Sequence, residues 1–171
     1  MFATEIIGNF AYIDNQNLYM ATQRADDPWD IDMRRFRVYL KEKYNVVKAY
    51  LFMGAFELSH QEMYSRFNDY GYALVFREHS ESLKGKKKGN VDVDVVFEMM
   101  RDSFTNVQMR KIILVSGDGD YFRTVSYLVK IDKFAKVILP SHKGVSSLYK
   151  QLSDHYRVYL DSESMKRKMK K

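Results

Sequence analysis

Short apolar runs alternate with amphipathic segments along the chain, and this order predicts an α/β domain. The apolar runs are bounded by polar residues or glycine, as is typical of buried strands. They predict strands at residues 6–13, 46–53, 72–76, 111–116 and 135–139, with a short sixth strand at 156–160. Apolar residues at helical spacing predict helices at residues 29–44, 59–70, 91–104, 121–130 and 145–152.

Polar residues mark several of these boundaries. Residues 14–17, with the sequence Asp-Asn-Gln-Asn, predict a polar turn directly after the first strand. Ser59 and Glu62 have the spacing of a capping box at the start of the second helix. Asn90 is expected to cap the helix that begins at Val91, because an asparagine side chain can accept an unpaired backbone N–H.

The alternation of strands and helices indicates that the strands pair in parallel. Continuous apolar runs are typical of strands that helices cover on both faces. In such folds, ligands bind beyond the carboxyl ends of the strands, at the point where the strand order reverses. The acidic residues that follow the predicted strands therefore share one expected location.

The composition is that of one globular domain. The chain has 171 residues, of which 46% are hydrophobic, and no linker rich in proline, glycine or serine divides it. We interpret residues 1–162 as a single domain and residues 163–171 as a basic C-terminal tail. An aromatic content of 15% also allows some tyrosine and phenylalanine side chains to be buried in a homodimer.

Several kinds of site and location are excluded or disfavoured. The chain has no cysteine, which excludes disulfides, thiolate zinc sites and cysteine nucleophiles. Residues 1–10 lack the pattern of a signal peptide, and no apolar stretch of about 18 residues predicts a membrane span. We therefore expect a cytoplasmic protein that does not contact a membrane.

Positive charge is concentrated in two short segments. The net charge of the chain is +6. One segment contains Lys84, Lys86, Lys87 and Lys88, and the other contains Lys166, Arg167, Lys168, Lys170 and Lys171. Such clusters suit RNA, because basic side chains that contact phosphates release counterions. The lysines at residues 84–88 are the predicted nucleic-acid contacts, whereas the tail serves equally well to keep the protein soluble.

Acidic residues follow the predicted strands at positions that the fold brings together. Asp14 ends the first strand, Asp118 follows the fourth, and Asp92 lies in the first turn of a helix. If the first and fourth strands are neighbours, these three carboxylates converge at one edge of the sheet. Asp94 projects about 200° around the helix from Asp92, so we expect Asp92 alone to face the site.

Carboxylates gathered in this way repel one another unless a cation joins them. At an effective dielectric constant near 20, two charges about 5 Å apart repel by roughly 3 kcal/mol. Oxygen ligands without cysteine favour Mg²⁺ or Mn²⁺ over zinc, and a metal-bound water can attack phosphorus. Each aspartate also suits a turn or a helix cap, and Asp120 fits a cap as well as it fits a ligand.

Other motifs are weaker or absent. The P-loop, the full dinucleotide fingerprint and the Gly-x-Ser-x-Gly elbow are missing. Asn17 is placed to orient the acidic residues and Tyr19 to stack on a base, whereas Tyr12 suits core packing. Four histidines have no recognisable metal spacing and are expected on the surface or in loops: His60, His79, His142 and His155.

Three segments together resemble NYN domains of the LabA-like group, within the PIN-like nuclease superfamily. They are residues 12–19 (Tyr-Ile-Asp-Asn-Gln-Asn-Leu-Tyr), 88–94 (Lys-Gly-Asn-Val-Asp-Val-Asp) and 114–121 (Leu-Val-Ser-Gly-Asp-Gly-Asp-Tyr). Their order and approximate spacing match the family from about residue 9 to residue 160. Two departures are mild: Asn15 stands where glycine is common, and Tyr121 stands where phenylalanine is usual.

The resemblance implies a three-layer α/β/α sandwich with a central, mostly parallel sheet of five to six strands. It also implies a ribonuclease that depends on Mg²⁺ or Mn²⁺ and leaves 5′-phosphate and 3′-hydroxyl ends. By motif match, the catalytic and metal-binding carboxylates are Asp14, Asp92, Asp118 and Asp120, with Asn17 and Ser116 as supporting residues.

Three hypotheses for the function follow. The first is a metal-dependent ribonuclease that hydrolyses RNA phosphodiester bonds by means of a metal-activated water. The second is a non-catalytic RNA-binding or regulatory module of the same fold, for which the basic clusters serve equally well. The third is a phosphotransfer or nucleotide-sugar enzyme that uses Asp118 and Asp120, since such enzymes also place acids at strand ends.

Overall fold

A central sheet of six parallel strands organises the structure. The computed structural model describes residue 5 and residues 7–77 and 91–171 of the chain. The strands are β1 (Gly8–Asp14), β2 (Val46–Met53), β3 (Tyr72–Phe76), β4 (Met109–Val115), β5 (Phe134–Leu139) and β6 (Arg157–Tyr159). Their order across the sheet is β3-β2-β1-β4-β5-β6, and every pair of neighbours is parallel.

Helices cover both faces of this sheet. In the described residues they are α1 (Asn15–Gln23), α2 (Met33–Tyr44), α3 (Gln61–Asp69), α4 (Val91–Thr105), α5 (Phe122–Lys130) and α6 (Glu163–Met169). One core contains Val95 of α4 and Leu128 of α5. The other contains Phe36 of α2, Tyr64 of α3 and Met169 of α6. The expected three-layer α/β/α sandwich is confirmed.

β1 lies at the centre of the sheet and is buried on both faces. Its successive residues face opposite cores: Tyr12 packs with α4 and α5, whereas Ile13 packs with α2 and α3. Ile13 pairs with Leu51 of β2 on one side and with Val115 of β4 on the other. Because the strand order reverses between β1 and β4, the carboxyl ends of these strands border a crevice.

The predicted strands are confirmed, and their bounds shift by only a residue or two. The helices predicted at residues 59–70, 91–104 and 121–130 correspond to α3, α4 and α5. The helix predicted at residues 29–44 starts later, as α2, at Met33. Asp32 caps this helix by accepting the backbone N–H of Arg35 at 3.0 Å, which explains the later start.

The polar turn predicted at residues 14–17 is wrong, because these residues begin α1. Asp14 caps this helix and accepts the backbone N–H of Asn17 at 2.9 Å. Two residues of α1, Leu18 and Thr22, lie about one helical turn apart and form its buried face. The polar run therefore marks the start of a helix rather than a loop.

The capping box predicted from Ser59 and Glu62 is also wrong. Ser59 lies inside a 3-10 turn, Leu58–His60, and α3 begins after this turn without a side-chain cap. The hydroxyl of Tyr64 accepts the backbone N–H of Glu57 at 3.3 Å. An aromatic side chain from within the helix thus takes over part of the role expected of the cap.

The helix predicted at residues 145–152 is wrong as well. A short 3-10 helix, Ser147–Gln151, forms there in its place. The backbone N–H of Ser146 donates to the carbonyl oxygen of Gly117 at 3.0 Å. This bond and the one that the hydroxyl of Tyr149 donates to the carbonyl oxygen of Asp118 tie the segment to the turn after β4, so tertiary contacts rather than the helical pattern set its conformation.

The basic segment at the end of the chain packs against the domain. Met169, the last residue of α6, is 1% exposed. Beyond it, Lys170 forms an isolated β-bridge with Ile31, and the backbone N–H of Lys171 donates to the carbonyl oxygen of Asp30 at 2.9 Å. Backbone hydrogen bonds and one buried side chain therefore hold this segment.

Some of the sequence predictions fall outside the described residues. They concern Ile6, His79, Lys84, Lys86, Lys87, Lys88 and the helix cap Asn90. Within the described part of the chain, none of the helices has the length and apolar character that crossing a membrane would require.

A buried hydrogen bond anchors α4 to the centre of the sheet. The hydroxyl of Tyr12 donates to a carboxylate oxygen of Asp102 at 2.7 Å, and both side chains are buried. Arg101 donates to the other oxygen of Asp102 at 3.0 Å. Burial, followed by the neighbouring Asp102, raises the pKa of Tyr12, so the phenol keeps its proton.

We expect Tyr12→Phe to lower the free energy of unfolding by about 1–3 kcal/mol, because it leaves a buried carboxylate oxygen without its donor. The matched control is Tyr127→Phe, which removes a hydroxyl from a side chain that is 43% exposed. Urea denaturation followed by circular dichroism measures both variants. Equal stability of the two would show that the buried bond contributes nothing to the fold.

Candidate metal centre

Two aspartates lie at the carboxyl edge of the central strands. Asp14 is the last residue of β1, and Asp118 lies in the turn that follows β4. β1 and β4 are parallel neighbours, so both aspartates lie where the strand order reverses. The adjacency of the first and fourth strands, on which the predicted convergence depended, is thus present in the structure.

Three carboxylates converge at this edge. Asp92, in the first turn of α4, joins Asp118 and Asp120, and one oxygen atom from each lies within 4.8 Å of the others. Asp92 and Asp118 are half-buried, whereas Asp120 is exposed. The 3-10 helix Gly119–Tyr121 brings the last two together, because Asp118 caps it by accepting the backbone N–H of Asp120 at 3.0 Å.

Hydrogen bonds engage both oxygen atoms of Asp14, which lies outside this group of three. Its Oδ1 accepts the backbone N–H of Asn17 at 2.9 Å, and its Oδ2 accepts the hydroxyl of Tyr121 at 3.0 Å. The same hydroxyl lies 2.7 Å from Oδ1 of Asp92. A phenol has one proton, which the two carboxylates must share. Tyr121 therefore links the end of β1 to the first turn of α4.

Burial raises the pKa of Asp14, whose side chain is almost entirely enclosed. The charges of Asp92 and Asp118 raise this pKa further, whereas the hydrogen bonds from Asn17 and Tyr121 oppose the rise. Burial and the charge of Asp14 also raise the pKa of Tyr121, so its hydroxyl stays protonated. Negative charge at this edge is therefore unfavourable without a cation.

The predicted supporting residues bond to the backbone of the turn that carries Asp118. Asn17 accepts the backbone N–H of Gly117 at 2.9 Å, and the buried Ser116 accepts that of Asp118 at 3.2 Å. Tyr149 donates its hydroxyl to the carbonyl oxygen of Asp118 at 2.6 Å. These three bonds fix the turn, and none of them occupies a carboxylate oxygen of Asp118.

A close approach of two segments explains the glycine at position 119. A Cβ atom there would lie 2.5 Å from Oγ and 2.9 Å from Cβ of Ser146. Either separation is shorter than a normal contact between such atoms, so a side chain at Gly119 would push the two segments apart. The turn that presents the acidic residues therefore depends on this glycine.

Other residues considered in the sequence lie away from the cluster. Asp94 is not part of it and pairs with Arg77 at 3.6 Å, in keeping with the expectation that Asp92 faces the site. Tyr12 is fully buried, whereas Tyr19 is 58% exposed. None of the histidines in the described residues joins the ligand group. A cavity of about 890 Å³ between α2 and α6 contains none of the predicted site aspartates.

Two tyrosines of the site were not identified from the sequence as interacting groups. Tyr121 was noticeable only because phenylalanine is usual at that position in the family. The hydroxyl that distinguishes this tyrosine from phenylalanine, next to Asp118 and Asp120 in the sequence, was the signal that could have indicated a hydrogen bond to the acidic residues. Tyr149 gave no signal, because its partner is a backbone oxygen from a distant part of the chain.

Comparisons with known proteins bear on both family and fold. The sequence model described as NYN domain matches residues 11–161. The chain is 27% identical over 126 residues to the low amplitude and bright protein LabA of Synechococcus elongatus, covering 68% of this chain and 65% of that protein. It thus spans 65% of the length of this curated relative. It also shares the fold of a crystal structure of a protein of unknown function from Vibrio parahaemolyticus, with a TM-score of 0.75, 19% identity and coverage of 99% and 100% of the two chains.

We expect Asp14→Asn to raise the melting temperature in EDTA at pH 7, because the raised pKa of Asp14 makes its ionised form unfavourable in the folded state. A carboxyl group whose pKa is higher in the folded state stabilises the folded protein fully at pH values below its unfolded-state pKa, which is 3.8 for Asp14. This stabilisation is lost as the pH rises through the folded-state pKa. The difference in melting temperature between Asp14→Asn and the parent should therefore shrink as the pH is lowered toward about 4. Calorimetry across this range measures it, and a variant less stable than the parent at pH 7 would contradict the argument.

Removal of the shared hydroxyl in Tyr121→Phe should lower the free energy of unfolding in EDTA by about 1–3 kcal/mol. The ring remains in the core, so the loss reports on the two carboxylates that were bonded to the hydroxyl. Urea denaturation measures it beside the exposed control Tyr127→Phe. A variant as stable as this control would mean that the bridge does not hold Asp14 and Asp92 together.

Proposed function

Because the chain belongs to the NYN domain family, we propose that it is a divalent-metal-dependent ribonuclease that hydrolyses RNA phosphodiester bonds. The observation that carries the proposal is the convergence of Asp92, Asp118 and Asp120, whose oxygen atoms lie within 4.8 Å of one another. The family match supports the class of reaction, and the three carboxylates support the use of a metal.

The donor set fits Mg²⁺ or Mn²⁺. Both ions prefer oxygen ligands, and oxygens about 2.1 Å from one Mg²⁺ lie at most about 4.2 Å apart. The carboxylate oxygens, within 4.8 Å of one another, need only small side-chain rotations to reach that range. Asp120 is exposed and has room for such a rotation.

Each carboxylate has a distinct role in this proposal. Asp92, Asp118 and Asp120 would hold the ion, which supplies positive charge beside the phosphate and a water of lowered pKa. Asp120 is the most exposed of the three, and we assign it to accept a proton from the attacking water through the oxygen atom that does not bind the ion. Asp14 acts through Tyr121, whose hydroxyl positions Asp92.

The supporting residues keep the turn after β4 in place while charge develops nearby. Asn17, Ser116 and Tyr149 all bond to its backbone rather than to a carboxylate. Groups fixed before the reaction need no rearrangement during it, which lowers the barrier. We assign these three residues a positioning role.

RNA as the substrate is supported by the family match and by the basic character of one segment. The proposed phosphate contacts are Lys84, Lys86, Lys87 and Lys88, which precede α4 and therefore Asp92 in the chain. The homodimer and the cytoplasmic location stay predictions from the sequence.

The test uses the purified protein and single-stranded RNA with Mn²⁺ or Mg²⁺. We expect cleavage that stops in EDTA and falls on the order of 100-fold in Asp118→Asn, because one ligand charge is lost from the site. The matched control is Asp69→Asn, which removes an exposed carboxylate where α3 leads into the amino end of β3. This control should cleave like the parent.

Two outcomes would count against the proposal. Cleavage that needs no metal, or an Asp118→Asn protein as active as the parent, would reject the mechanism. Salt-sensitive RNA binding without any turnover would favour the non-catalytic RNA-binding or regulatory module instead.

A further inference from the structure

A cleft lies between the end of β3 and the first turns of α4, the helix that carries Asp92 of the candidate metal centre. Its volume is about 250 Å³, and its lining consists of Val75, Phe76, Arg77, Asp94, Phe97 and Glu98. Asp94 is about 3 Å further along the helix axis than Asp92. It also projects about 200° around the helix from Asp92, so the cleft and the metal centre lie on opposite sides of the first turns of α4. An RNA strand held at the metal centre would reach the cleft by crossing the amino end of this helix.

The cleft has one fixed aromatic wall and one exposed one. Phe76 packs edge-on against Phe56 and Tyr64, with ring centroids 5.3 and 4.8 Å away. Phe97 projects from α4 with 60% of its surface exposed. The guanidinium of Arg101 lies 5.9 Å from the centroid of the Phe97 ring. Exposed aromatic rings and guanidinium planes are surfaces on which nucleobases stack.

The polar groups of the cleft can bond to the edge of a base. Asp94 faces Arg77 at 3.6 Å, which is too long for a hydrogen bond, and Glu98 pairs with Arg101. A carboxylate has about four acceptor positions, so both acids can also accept N–H groups from a ligand. Apolar walls with a few convergent polar groups are typical of a site for a small planar group.

We propose that this cleft is a subsite for one nucleobase of a single-stranded RNA held at the metal centre. The inference rests on the proposed ribonuclease function and adds the form of the substrate, which must be unpaired for a base to leave the strand and enter the cleft. The base stacks on Phe97, its edge bonds to Asp94 and Glu98, and the backbone continues toward Asp92.

A protein partner is the alternative occupant of this surface. Phe97 belongs to an exposed apolar stripe on α4, together with Val93 and Phe104, which are 64% and 66% exposed. A docked protein would contact all three side chains, whereas only Phe97 lines the cleft. The two carboxylates and the guanidinium in the cleft suit the edge of a base better than an apolar protein surface.

The experiment compares Phe97→Ala with Phe104→Ala, which removes an equally exposed ring about 10 Å further along α4. The probe is a short single-stranded RNA in which one base is 2-aminopurine, whose fluorescence is quenched on stacking. The binding titrations contain Ca²⁺ in place of Mn²⁺ to slow cleavage. Cleavage kinetics with Mn²⁺ are measured separately.

We expect Phe97→Ala to weaken RNA binding roughly 5- to 150-fold and to abolish quenching at one position of the 2-aminopurine. The KM for cleavage should rise by a similar factor while kcat changes little, since the subsite binds substrate away from the reacting bond. Phe104→Ala should bind, quench and cleave like the parent.

The outcomes separate this inference from the ribonuclease proposal. A parent that cleaves RNA and a Phe97→Ala protein with unchanged binding, quenching and KM would overturn the subsite alone. Quenching that depends on Phe97 in a protein that never cleaves would support the subsite and reject the ribonuclease. A parent that binds no RNA would overturn both. Equal losses in both variants, with an altered oligomeric state by size-exclusion chromatography, would overturn the subsite in favour of protein docking.

Discussion

The parallel pairing of β1 with β4 decides where the carboxylates of the candidate centre can lie. Asp14 and Asp118 come from segments more than 100 residues apart, as the Asp14–Tyr121 bond at a separation of 107 residues illustrates. They reach the same edge only because Ile13 pairs with Val115. One more strand between β1 and β4 would add about 4.8 Å to the separation of Asp14 and Asp118. The buried apolar strands that fix this pairing therefore also define the site.

α4 completes the cluster because two tyrosines fasten it to β1. Tyr12 bonds to Asp102 in the last turns of the helix, and Tyr121 bridges Asp14 and Asp92 at its first turn. These two contacts lie about 15 Å apart along the helix. A helix held at two separate points cannot slide or tilt freely, so Asp92 keeps its position relative to the sheet. The carboxylate geometry thus depends on two phenolic protons in a buried environment.

The strands and the shared location of the acids were predictable because they depend on continuous apolar runs and on a general rule for parallel sheets. The helix at residues 15–23 was not, since polar residues such as Asp14 and Asn17 suit a turn and a helix cap equally well. The failure at residues 145–152 and the hydrogen bonds of Tyr121 have a different origin. Both depend on contacts between segments distant in the chain, which periodicity does not encode. The cleft between β3 and α4 likewise exists only once the crossover between them is in place.

An edge that carries converging carboxylates is poorly suited to binding RNA on its own. The phosphates of the polymer would be repelled by Asp92, Asp118 and Asp120. The pKa of Asp14, which burial raises most, is raised further by the charges of Asp92 and Asp118. One divalent ion relieves both effects at once, because it neutralises the acids and attracts the phosphate. A module that only binds RNA has no need of this acidic arrangement, which is why the metal-dependent function is favoured. Stacking of a base on an aromatic ring such as Phe97 would add affinity for RNA that does not depend on charge. Such a contribution matters more at an acidic edge than at a basic surface, which attracts the phosphates directly.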